Sequence, residues 1–195
     1  RLSDLTMGTV PLSQKIDRAM AIEKAAHAVD PRVNRTNKVV YEESEYEVAL
    51  INSRGFEGRY AGTSCSGYGD VIAREGDQSE DGFGMDAGIR WADFDPVKAG
   101  QEAGFNAVSM IGATSLASQK MDLIFEPMVS TSFLSAIEHL FSGDAVLKGK
   151  SLLAGKMGQA IASTHLTIID CGNRIGGLGT SPFDAEGSPT QKTVL

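Results

Sequence analysis

Between about residues 36 and 93 the chain changes character, and short runs alternate apolar with charged or small side chains. Val39 and Tyr41, then Tyr46, Val48 and Leu50, alternate with charged or small residues. A period of two predicts half-buried strands. Asn52-Ser53-Arg54-Gly55 predicts a turn, and Phe56 to Ser66 a second strand. Gly67 and Gly69 punctuate the run, and Val71 to Glu75 predicts a further short strand. A polar loop follows from Gly76 through Gly82, and Phe83 to Trp91 returns as a strand. Short sequential strands with glycine turns predict an antiparallel meander. Its acidic loops read as solvated edges that discourage edge-to-edge pairing.

On either side of this region the period lengthens. Ser13 predicts the cap of a first helix running to about Val29, with Ile16, Ala19, Met20, Glu23, Ala26 and His27 on one stripe. Asp30-Pro31 ends it, because the residue before proline avoids the helical region. Asp95-Pro96 opens a second helix, to about Ile111, with Asp as cap and Pro at the first helical position. Gly100 and Gly104 cost about 1 kcal/mol each against Ala, which predicts close packing on another element. Gly112 ends the helix.

Lys120 to Phe125 predicts a strand broken by Pro127. Ser130 or Thr131 then caps a third helix to about Phe141, whose apolar face is Phe133, Leu134, Ile137, Leu140 and Phe141. Residues 144–162 predict one or two short helices, and Leu166 to Asp170 a buried strand. Residues 172–190 are a long glycine-rich loop, of the kind that is either functional or tied down by a partner. The fold class is therefore α+β: an antiparallel meander with flanking helices, followed by a mixed α/β segment. Residues 1–95 read as the end of an N-terminal α/β domain with the meander. Residues 96–195 read as a central region leading into a further C-terminal domain.

The 195 residues suit one to two domains. There is no initiator Met, and Thr193-Val194-Leu195 stops inside what reads as a strand, so the chain reads as a fragment of a longer protein. Eighteen basic against 25 acidic side chains give a net charge of −7, which argues against direct nucleic-acid binding. No apolar run approaches the roughly 20 residues needed to span a bilayer. Arg1-Leu2-Ser3-Asp4 lacks the pattern of a signal peptide, and a cytoplasmic location is expected. Cys65 and Cys171 form no C-x-x-C pair and read as reduced thiols.

Motifs for chemistry are weak. Gly149-Lys150-Ser151 resembles the end of a phosphate loop, but Asp144 stands where that motif needs glycine. Gly176-Gly177-Leu178-Gly179 follows a strand but leads into Thr180-Ser181-Pro182-Phe183, which is loop rather than helix. His27, His139 and His165 form no H-E-x-x-H pair. Asp184 and Glu186 lie two residues apart. In a strand both would face one side, as an ion or basic-peptide contact; otherwise they are a solvated loop.

From the third helix onward the chain resembles the TldD/PmbA family, named for modulation of DNA gyrase and associated with peptide proteolysis. The resemblance runs from Phe141-Ser142-Gly143-Asp144 through Gly155-Lys156-Met157-Gly158 and Thr167-Ile168-Ile169-Asp170 to Phe183-Asp184-Ala185-Glu186-Gly187-Ser188-Pro189-Thr190. The last stretch, Phe-Asp-x-Glu-Gly-x-Pro-Thr, is its most specific piece. Asn52-Ser53-Arg54-Gly55 and Asp93-Phe94-Asp95-Pro96 occur upstream in family-like order.

The TldD-like branch carries H-E-x-x-x-H on a helix, where two histidines hold zinc and the glutamate activates water. On that motif Leu134 falls at the first histidine, Ser135 at the glutamate and His139 at the second histidine. The resemblance therefore implies the PmbA-like (TldE-like) branch, with His139 at most a relic and no catalytic residue or cofactor in this chain. Zinc is expected in a TldD-like partner. The implied role is a non-catalytic subunit of a zinc metallopeptidase complex acting on peptides. Gly176, Gly177, Gly179, Asp184 and Glu186 are then candidate substrate or partner contacts. The implied partners are a TldD-like subunit or a second copy. Two alternatives stand beside this: a metallopeptidase using segments absent here, and a non-enzymatic modulator of gyrase or of a toxin system.

Overall fold

The computed structural model describes residues 3–195. Arg1 and Leu2, part of the start read above for a leader, lie outside the described residues. The described residues divide into two compact units, one of residues 3–114 with 171–192, the other of residues 115–170 with 193–195. No helix among the described residues is long and apolar enough to cross a membrane.

The first unit is a three-stranded antiparallel sheet in the order β1-β2-β3, covered on one face by two helices. Helix α1 spans Leu12–His27 and α2 spans Pro96–Ser109. The strands are β1, Val33–Ile51; β2, Glu57–Glu75; and β3, Gln78–Gly88. Helix α2, which opens just past residue 95, packs on β3 within this unit. The expected meander and flanking helices are present, but its strands are longer and fewer than the glycine pattern implied. Gly67 and Gly69 lie inside β2 rather than at its ends, and the loop of residues 76–82 shrinks to a turn at Gly76 and Asp77. The third strand ends at Gly88, and Trp91–Asp93 forms a 3₁₀ turn.

Packing explains these glycines. A Cβ on Gly82 would sit 2.2 Å from the main chain of Ala103 and Ala107, and one on Gly84 would sit 2.3 Å from Ala103 N. Helix α2 thus lies with its main chain against β3, using Ala99, Ala103 and Ala107 as a flat, fully buried face. Gly67 and Gly69 make room in the same way for Phe94 and Ile22. Gly100 and Gly104 bring α2 equally close to α1, against Ile22 O and Ala26 O, as their placement predicted. The start of α2 also follows prediction: the Asp95 carboxylate accepts from Val97 N (2.9 Å) and Lys98 N (3.3 Å).

The first helix starts at Leu12 after Pro11, with no cap from Ser13. Its buried side is Ile22 and Ala26. The expected stripe is turned out of the core at Ile16 and Met20, which are 51% and 61% exposed. Both sides of this helix carry apolar residues, so periodicity alone does not choose between them.

The second unit holds α3 (Pro127–Ile137), a 3₁₀ turn (Glu138–Phe141) and α4 (Gly143–Leu147). The strand expected over Lys120 to Phe125 is absent, since no neighbouring strand satisfies its main chain; Leu123 and Ile124 are exposed. Pro127 opens α3 instead of preceding it. The hydroxyls of Ser130 and Thr131 donate back to Phe125 O and Pro127 O rather than capping. The face expected to form a core is largely open, with Phe133 52% and Leu134 41% exposed. The strand expected at Leu166 to Asp170 is reduced to β4 (Ile169–Cys171), which pairs with β5 (Lys192–Val194).

Candidate functional site

Leu134 and Ser135 lie on the last turn of α3, and His139 in the 3₁₀ turn that follows. All three are exposed. Fitted against a zinc site, the set fails: Leu134 has no lone pair to give, and the Ser135 hydroxyl is a poor proton acceptor at neutral pH. Among the described residues no group of three or more His, Cys, Asp or Glu side chains is placed to hold a metal ion. Ser151, the last residue of the phosphate-loop-like segment, is buried and donates to Leu140 O while accepting from Leu153 N, which makes it a structural link.

The loop of residues 172–190 has two distinct parts. In the first, Gly176 adopts φ +74°. Gly177 N donates to Arg174 O and Thr180 N to Gly177 O, giving two successive turns. Gly176 and Gly177 border an open cleft of about 930 Å³, with Ser3–Thr6 and Ala87–Ile89 on its other sides. Its polar wall is Asp4, Arg90, Asp93 and Arg174. Gly179 lies beyond that wall and is exposed.

In the second part, Asp184 does not sit in a strand beside Glu186, so the two carboxylates do not share a face. Asp184 Oδ1 accepts from Glu186 N (3.0 Å) and Ser188 N (2.8 Å), closing a turn on itself. Gly187 takes φ +88° to complete it. Glu186 contributes its carbonyl, which accepts from Asn52 Nδ2 at 3.0 Å. Phe183 packs edge-on against Phe56 and Tyr60, with ring centres 5.1 and 5.2 Å apart. The motif segment is thereby pinned to the tip of the β1–β2 hairpin. There Asn52 Oδ1 also accepts from Arg54 N and Phe56 N, and Gly55 turns the chain at φ +84°. In the sequence Asn52 marks a turn and Phe183 opens the family-like motif, but nothing there joins the two segments. The signal that could have found them is an aromatic residue beside a turn-forming Asp-x-Glu-Gly.

A second cluster was not anticipated. The Asp4 carboxylate accepts from Trp91 N (3.0 Å), Thr6 N (3.0 Å) and Thr6 Oγ1 (2.6 Å). Asp4 N donates to the buried Thr63 hydroxyl, which donates to Ile89 O. These hydrogen bonds, led by the Thr6 hydroxyl, hold the Asp4 carboxyl below the usual carboxylate range. Asp93 is lowered likewise by the Arg90 guanidinium that grips it. The Arg18 guanidinium stacks 3.6 Å from the Trp91 ring centre and donates to Phe94 O. Cys65, buried beneath, donates to Arg90 O, and its burial pushes the thiol up, away from nucleophile chemistry. Both cysteines are free. The cleft thus offers hydrogen-bonding walls, not a reacting group.

Residues 7–111 match the model of the PmbA/TldA metallopeptidase central domain, and residues 118–195 that of the C-terminal domain. A metalloprotease of Methanothermobacter thermautotrophicus is 31% identical over 191 residues, covering 95% of this chain and 41% of the relative. The metalloprotease PmbA of Escherichia coli O157:H7 is 27% identical, over 92% of this chain and 40% of its own length. A crystal structure from Bacteroides thetaiotaomicron, described as a candidate modulator of DNA gyrase, superposes with a TM-score of 0.87 at 27% identity. It covers all of this chain and 44% of its own. The chain spans about two fifths of the length of the curated relatives it matches. With two adjoining domain models matched in order and the fold shared end to end, this chain belongs to the PmbA/TldD family of metallopeptidases.

Proposed function

We propose that this chain is part of a PmbA/TldE-like subunit that carries no catalytic metal and serves as the non-catalytic member of a TldD-type zinc metallopeptidase complex. One observation carries the reading. Leu134 and Ser135 stand where the family resemblance puts an imidazole and a carboxylate, and they are exposed on α3 with no group of substitute ligands among the described residues. In the complex, zinc held by the TldD-like subunit would supply the activated water. The work left to this chain is to hold and shape. The cleft walled by Asp4, Arg90, Asp93 and Gly176–Gly177 would be the surface that receives an extended peptide. The pinned turn at Asp184 keeps the neighbouring loop in place.

Metal analysis of the intact protein, purified alone and with a TldD-like subunit, tests this. The protein alone should contain no stoichiometric zinc and cleave no peptide, and the mixture should do both. Zinc with peptidase activity in the protein alone refutes the proposal. Absence of any complex, with cleavage by the TldD-like subunit unaltered, favours a modulator without a proteolytic role.

A further inference from the structure

The outer edge of β3 is finished differently along its length. Side chains of α2 close its middle: Asn106 Nδ2 donates to Phe83 O (2.8 Å), and Met85 N donates to Glu102 Oε2 (3.4 Å). Outward main-chain groups alternate along an antiparallel strand. The pairing of β2 with β3 runs through Ala87 without a shift, so Ala87 N and O point outward as those of Phe83 and Met85 do. Among the described residues nothing caps this last pair. An open edge pair is a place for an extended chain to dock. Ala87 also lines the cleft bordered by Gly176 and Gly177.

The charges of that cleft are unequally used. Asp4 accepts from Trp91 N, Thr6 N and the Thr6 hydroxyl, and Asp93 is gripped by Arg90 through Nε and Nη2. Arg174 differs from both. Its carbonyl accepts from Gly177 N (3.1 Å) and Thr180 Oγ1 (2.5 Å), which fixes its main chain. Among the described residues its guanidinium takes part in no ion pair. An incoming carboxylate therefore meets a free guanidinium, whose forked donors match it. An incoming ammonium meets carboxylates that already have partners. Two arginines against two aspartates leave this wall without net charge, which suits a singly charged anion better than a doubly charged phosphate. Apolar side chains stand beside the charge: Ile175 is 95% and Leu178 54% exposed, and Leu5, on another side of the cleft, is 72% exposed.

We propose that this cleft receives the free C-terminal end of a peptide whose last residue is aliphatic. The terminal carboxylate pairs with Arg174. The last side chain lies among Leu5, Ile175 and Leu178, and the main chain before it bonds to Ala87 N and O. An internal stretch of peptide brings no carboxylate of its own and leaves Arg174 unanswered, so the cleft tells an end from a middle. The inference rests on the reading of this cleft as the peptide surface and adds which end is held and what kind of side chain it carries.

The test is fluorescence polarisation of the intact protein, purified alone, with a hexapeptide labelled at its N-terminus and ending in Ala-Val-Leu. The free acid should bind about tenfold tighter than the same peptide amidated at its C-terminus, the difference expected for one charge-assisted pair. Arg174→Gln should bring the acid down to the level of the amide and leave the amide unchanged. Arg174→Lys should recover part of the difference, because an ammonium keeps the charge but not the fork. Arg74→Gln, near the far end of β2, should change neither. Replacing the final Leu of the peptide by Ser should weaken both forms. Equal binding of acid and amide overturns the proposal while leaving the cleft a peptide surface; binding of neither overturns both. Displacement of the acid by inorganic phosphate as readily as by an acetylated Val-Leu dipeptide also overturns it and makes the cleft a general anion site. The assay holds no zinc and no TldD-like subunit, so its failure is distinct from failure of the metal-free subunit role, which the metal analysis reads.

Discussion

Residues 7–111 and residues 115–170 are similarly rich in apolar side chains, yet they use them differently. In the first region Ile22, Val71, Ala99 and Ala103 are fully buried, and glycines let helix and strand main chains touch. In the second, Leu123, Ile124, Phe133 and Leu134 lie open, and Ala145 and Ser151 are its buried residues. Periodicity tells which side of an element needs cover. It does not tell whether the cover lies nearby in the chain. Substitution should separate the two regions sharply. Ile22→Ala should cost about 2–5 kcal/mol in chemical denaturation, whereas Leu134→Ala should cost less than about 1 kcal/mol. Comparable losses at both sites would erase the distinction.

The glycine seat of α2 makes the contrast sharper. Gly84→Ala places a methyl group 2.3 Å from Ala103 N, where only main chain could yield. The expected loss is about 3 kcal/mol. Gly179→Ala, with open space around it, should be near neutral. A neutral Gly84→Ala in the same denaturation series would mean that α2 is not held against β3 as described.

Legibility in the sequence followed the same division. The Asp95-Pro96 start, the close packing at Gly100 and Gly104 and the antiparallel pairing could be read because local capping and steric rules decide them. Gly67, Gly69 and Gly82 were read as breaks because a glycine that admits a neighbouring backbone looks, in sequence, like one that turns the chain. The side of α1 that is buried was not legible, since Ile16 and Met20 are as apolar as Ile22. The strand expected over Lys120 to Phe125 failed for want of a neighbour to pair with. At the candidate site, that neither Leu134 nor Ser135 can serve as a zinc ligand follows from the residues themselves. The Asn52–Glu186 anchor and the Asp4–Trp91 link are not legible because their partners lie far away in sequence.

Two smaller effects probe how firmly the first region holds its loops. Phe183→Ala removes the ring packed on Phe56 and Tyr60. Hydrogen exchange at the amides of Glu186 and Ser188 should then quicken about tenfold, equivalent to roughly 1.4 kcal/mol of local opening. Unchanged exchange would mean the turn stands without its anchor. At the other end of the sheet, Asp30 accepts from the Arg32 guanidinium and Arg32 N, which lower its carboxyl to about 2. The folded value lies below the unfolded one of about 4. The resulting stability is therefore complete above that range and is lost as pH falls through about 2. The difference in urea midpoint between the protein and Asp30→Asn should shrink over that interval. A difference independent of pH would assign the effect to packing.

The smallest expected effect belongs to the residue that chemistry would at first single out. His139 is exposed, sits in a 3₁₀ turn, and has Leu134 and Ser135 where partners in metal binding would stand. A single imidazole holds zinc far more weakly than a set of three or four ligands. His139→Ala should accordingly leave the stability of the chain within about 0.5 kcal/mol and its zinc content unchanged. Peptide cleavage by a reconstituted complex should also hold. The three measurements separate the explanations. A fall in stability alone would show that the turn needs the ring, whereas a loss of zinc from the isolated protein would make His139 a working ligand. That second result would require ligands recruited from outside residues 3–195, and it would remove the ground for treating this chain as the metal-free member of its complex.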